Sequence, residues 1–104
     1  MPTHNFSVYV DPVAFEKLLK HIRFLSQVSI SAAERLFEEY DKALVFLETN
    51  PNSCPPYLLE KTIEFDFKSK LFFKRYRLVF RIDGNNVYIH DIQDCRQSLD
   101  KSLV

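Results

Sequence analysis

Residues 71–93, LFFKRYRLVFRIDGNNVYIHDIQ, decide the fold. Phe72, Tyr76, Leu78, Phe80 and Ile82 alternate with Phe73, Arg75, Arg77, Val79 and Arg81. Successive side chains of a strand point to opposite sides of a sheet, so one face is apolar and the other carries three arginines. Asp83-Gly84-Asn85-Asn86 has turn chemistry, and the chain's one glycine sits where a positive φ is needed. Val87 to Gln93 forms the returning arm. Strict antiparallel register about that turn sets Ile82 opposite Val87, Arg81 opposite Tyr88, Val79 opposite His90, Arg77 opposite Ile92 and Arg75 opposite Asp94.

Upstream, Ile63, Phe65 and Phe67 alternate with Thr62, Glu64 and Asp66, which predicts a preceding strand. A turn at Lys68–Leu71 would join it to the arginine strand and bring Glu64 opposite Arg75. Pro51 to Tyr57, with three prolines, reads as a loop. Before it the period changes to that of helices. Asp11-Pro12 combines a good N-cap with a residue suited to the first turn, and Phe15, Leu18, Leu19, Ile22 and Leu25 make an apolar stripe ending near Val28. Ser31-Ala-Ala-Glu34 has the spacing of a capping box. The second stripe is Ala33, Leu36, Phe37, Tyr40, Ala43, Leu44 and Leu47, with Phe37 and Tyr40 expected in the core, and Asn50-Pro51 stops that helix. Residues Phe6 to Val10 alternate as a short strand. The fold class is therefore α+β, in the order β-α-α-β-β-β, with an antiparallel sheet packed against a helix hairpin.

The length of 104 residues predicts a single domain over residues 1–104. At 46% hydrophobic, with ten Phe and five Tyr, the chain has ample material for a packed core. Fourteen basic residues balance fourteen acidic ones, so any nucleic-acid-binding charge must be local. The N-terminus lacks a cationic region followed by an apolar run, and no stretch is long enough to span a bilayer, which predicts a cytoplasmic protein without a membrane partner. Cys54 and Cys95 are expected as free thiols, and the scattered His4, His21 and His90 offer no metal-ligand spacing, so neither metal nor cofactor is expected.

The helical stripes need a sheet face to cover, which leaves the arginine face open. On it the alternation places Arg75, Arg77, Arg81, Tyr88 and His90, edged by Lys68, Lys70, Lys74 and, just beyond the last strand, Arg96. Guanidinium forks for phosphate oxygens, ammonium charges and aromatic surfaces for stacking are what a phosphate backbone needs. The same pattern also suits a solvated sheet face laced with cross-strand ion pairs through Glu64 and Asp94.

The run from Lys70 to Gln97 resembles the C-terminal hairpin of RelE/ParE-type toxins: an Arg-Tyr-Arg-aliphatic-aliphatic-aromatic strand, a tight turn, an alternating strand and a terminal Arg. The order of elements resembles theirs over almost the whole chain. The resemblance implies a RelE/ParE-like fold and a type II toxin held inactive by a cognate antitoxin. A RelE-like member would cut mRNA on the ribosome without a metal. Arg77, Arg96 and His90 would then carry the chemistry, and Arg75, Arg81, Lys70, Lys74 and Tyr88 would bind the substrate. The tail after Arg96 contains no Tyr or His, so His90 or Tyr88 would have to act as acid and base. A ParE-like member would instead inhibit DNA gyrase without catalysis, and helices of about 25 Å, at 1.5 Å per residue, suit that alternative; an inactive family member is the remaining one.

Overall fold

A computed structural model describes residues 6–57 and 66–95. β1 (Ser7–Val10) leads into α1 (Pro12–Ser26) and α2 (Ile30–Thr49), then come a 3-10 turn at Pro51–Ser53 and the strands β2 (Lys68–Phe72), β3 (Tyr76–Asp83) and β4 (Asn86–Asp94). One sheet has the order β1-β4-β3-β2. Its last three strands are antiparallel as expected, and β1 adds parallel to β4, from Ser7 against Asn86 to Val10 against Ile89. The sheet is thus mixed: the helix pair provides the long crossover that parallel strands require.

Asp11 caps α1, its side chain accepting from the Val13 N–H at 2.7 Å. The cap of α2 is Ser29, which accepts from the Ala32 N–H at 3.1 Å. The expected Ser31 cap lies two residues inside the helix, because α2 starts as soon as the chain has turned. Ala14 and Leu18 of α1 and Leu36, Tyr40, Ala43 and Leu47 of α2 pack onto Tyr76, Leu78, Phe80, Val87, Ile89 and Ile92 of the sheet. Phe15 and Phe37 sit at the margins of their stripes and are exposed, so Phe37 is not the core residue its spacing suggested.

The largest departure lies before β3. Lys68–Leu71 is strand, and the break falls at 73–75, where Phe73 and Lys74 adopt φ of 55° and 58°. Non-glycine residues occupy that left-handed region at a cost. Packing offsets it: Phe72 and Tyr76 are opposed and buried, and Phe73 stacks on Tyr76 at 6.3 Å with the Arg35 guanidinium over its ring. The expected strand at Ile63–Phe65 and the Glu64–Arg75 pairing lie outside the described residues, as does Arg96.

Candidate functional site

The register expected near the hairpin turn holds for Ile82 with Val87 and Arg81 with Tyr88. It then slips. Phe80 pairs with Ile89 and Val79 with Asp91, so His90 is the extra residue of a bulge, Arg77 faces Gln93 and Tyr76 faces Asp94. The bulge turns Asp91 to the outer side of the sheet, where the Lys17 ammonium meets it at 2.7 Å. It also frees His90 from the ladder.

Two groups of side chains result on the outer face. Arg81 Nε donates to His90 Nε2 at 3.2 Å, and its guanidinium lies 4.7 Å from the centre of the Tyr88 ring. That bond requires the histidine tautomer with its lone pair at Nε2. Tyr9 stacks on Tyr88 at 5.5 Å, and Phe67 meets the His90 ring edge-on at 5.4 Å. In the second group the Arg77 guanidinium lies 5.2 Å from the Tyr57 ring centre. Tyr57 Oη donates to Gln93 Oε1 at 3.1 Å, and Gln93 Nε2 donates to Asp91 Oδ2 at 3.1 Å. Tyr57 reaches this place because residues 55–57 pair with the outer edge of β2: Ser69 N–H donates to Pro55 O and Tyr57 N–H to Phe67 O. In the sequence Tyr57 is only the end of the Pro-rich loop and Phe67 only the last apolar residue of the Ile63, Phe65, Phe67 alternation.

Two expected members are elsewhere. Arg75 lies in the 73–75 turn and turns inward, pairing with the buried Asp94 at 3.3 Å, with its guanidinium 5.1 Å from the Tyr76 ring centre. His21 of α1 completes that inner cluster, its ring 5.0 Å from Tyr76. Burial lowers the His21 pKa below the ordinary 6.5; Asp94 opposes this, while Arg75 and Lys17 add to it. Lys70 also points to the helix side, its ammonium 4.4 Å from the Phe46 ring centre, because register pairs it with the buried Leu78. Lys68 shares that side and donates to Cys54 O at 3.2 Å. Lys74 is exposed in the turn. Among the described residues the expected open-face array is therefore reduced to Arg77, Arg81, Tyr88 and His90, and the shift of the strand break by about four residues is the reason.

A second surface stands out on the helices. Leu19, Ile22, Ile30, Ala33 and Phe37 line an apolar groove of about 450 Å³ bordered by Glu34 and Glu38. Of these lining residues, Ile30 is 69% exposed and Phe37 41%. Clustered exposed apolar residues of this size mark an interaction surface. Cys54 and Cys95 are free and buried, and burial pushes the Cys54 thiol up against the lowering influence of Lys70 and Lys68. Among the described residues no group of three His, Cys, Asp or Glu could hold a metal, and no helix is long and apolar enough to cross a membrane.

Comparison with known proteins gives one family: a family model described as ParE toxin of type II toxin-antitoxin system, parDE, matches residues 8–99. No curated protein matches the chain.

Proposed function

The chain belongs to the ParE family of type II toxin–antitoxin toxins, and from that premise we propose that, when free of its antitoxin, it arrests growth by binding DNA gyrase through the helix hairpin without catalysis. The observation that carries this reading is the contrast between the two faces. The hairpin exposes Ile30 and Phe37 in an apolar groove of the kind that receives a partner. The side chains a nuclease would need are divided instead: Arg75 is committed to Asp94, Lys70 faces the helix side, and Arg77 lies against Tyr57.

A second reading, mRNA cleavage on the ribosome, draws on the Arg81, Tyr88 and His90 group, which unites a cation, a stacking ring and an exposed imidazole. One experiment separates the two. Purified protein is added to gyrase in a supercoiling assay and, in parallel, to a translating extract whose transcripts are mapped by primer extension. Gyrase inhibition that disappears in the Ile30→Lys/Phe37→Lys double variant, with its circular dichroism unchanged, is the expected result. Unaffected supercoiling together with transcript cleavage that requires His90 would replace this reading with the nuclease.

A further inference from the structure

A cleft of about 680 Å³ opens at the outer edge of β2, away from the helix groove, and is lined among others by Phe46, Tyr57, Ser69, Lys70, Leu71 and Arg77. Three observations there converge. First, among the described residues the edge is incompletely covered. Residues 55–57 pair with it only as far as Ser69. Backbone groups of alternate strand residues point the same way, so the N–H and C=O of Leu71 face the cleft, one step beyond the end of that cover. Leu71 itself is 54% exposed.

Second, the cleft holds two cations. Lys70 lies over the Phe46 ring and Arg77 over the Tyr57 ring, and among the described residues neither forms an ion pair. Third, the two cations are on opposite sides of the sheet. Lys70 is registered with Leu78 on the helix side, and Leu71 with Arg77 on the outer side. Consecutive residues of an added strand also point to opposite sides, so one carboxylate cannot serve both cations but two adjacent ones can.

We propose that this cleft binds an extended segment of the partner antitoxin carrying two adjacent acidic residues, its backbone pairing with Leu71 and its carboxylates reaching Arg77 and Lys70. The inference rests on the antitoxin partnership that family membership brings and is independent of gyrase. A peptide backbone fits because the edge offers an amide and a carbonyl spaced for a ladder, which RNA cannot match. Paired acids fit because each carboxylate finds a half-buried cation resting on an aromatic wall.

The test is an NMR titration of the 15N-labelled chain with three blocked hexapeptides, Thr-Val-Glu-Glu-Val-Thr and its Gln-Gln and Lys-Lys counterparts, and with an oligouridylate. The Glu-Glu peptide is expected to shift the Leu71 and Phe72 amides saturably. Its affinity should fall about tenfold for each cation removed in Lys70→Gln and Arg77→Gln, the size of one charge-assisted hydrogen bond at a half-buried site. Charge reversal at both positions should transfer the preference to the Lys-Lys peptide. Equal binding of the three peptides, no shift with any of them, or shifts produced only by the oligouridylate would overturn the proposal. The peptide comparison uses the unmodified chain, so it decides the question even where a variant fails to fold, and its outcome is read separately from the supercoiling assay.

Discussion

Replacing Arg75 by Met tests whether this arginine is structural. Its guanidinium pairs with Asp94 at 3.3 Å, and the two side chains are 20% and 5% exposed. Removing the cation leaves a carboxylate in the interior beside Tyr76, and breaking a buried pair in this way costs roughly 3–5 kcal/mol. Water still reaches one side of Arg75, so the low end applies: about 3 kcal/mol, or about 13 °C in Tm for a chain of this length. Arg75→Met/Asp94→Leu removes both charges and should recover most of that loss. His21 adds a pH signature. Its pKa is lowered in the folded state, so its contribution to stability is present above 6.5 and is lost as pH falls through the lowered value. Without Arg75 one of the groups lowering that pKa is gone, and a protonated His21 can face Asp94. The penalty of Arg75→Met should therefore be smaller at pH 5 than at pH 8. Urea denaturation at both pH values measures it. A single variant that loses less than about 1 kcal/mol, or a double variant no more stable than the single, would refute the buried-pair argument. An Arg75→Met protein of normal stability that has lost its toxicity would return Arg75 to the binding surface.

Two further substitutions test local physics. Ser29→Ala should cost about 1 kcal/mol by removing the α2 cap, whereas Ser31→Ala should cost only a few tenths, and thermal melts of the pair decide which serine caps the helix. Gly84→Ala meets no atom within 4 Å of the new Cβ but must hold φ near +63°, so a loss of about 1 kcal/mol is expected from backbone strain alone. A neutral result in the same denaturation series would mean that the turn relaxes.

The alternation of Arg77 to Ile82, the Asp83–Asn86 turn and the Asp11-Pro12 start of α1 are local signals: each depends on residues a few positions apart, so the hairpin, the helices and the placing of Arg81 beside Tyr88 were legible in the chain. The family resemblance followed from the same run. What alternation could not supply was where a strand breaks; the out-of-phase Asp91 signals a bulge near the end of the last strand, but not which residue leaves the ladder. Phe73 and Lys74 carry no turn signal; they take left-handed backbone because Phe72 and Tyr76 are both drawn into the core. That single displacement moved Arg75 inward and turned Lys70 to the helix side. The place of the bulge at His90 was decided by packing, which keeps Ile89 and Ile92 buried although they lie three positions apart. Side chains an odd number of positions apart cannot both face the core of a regular strand, so one residue had to leave the ladder. By itself, the sequence determined the elements and the chemistry available to them; the demand of the core for buried apolar area decided which face each cation occupies.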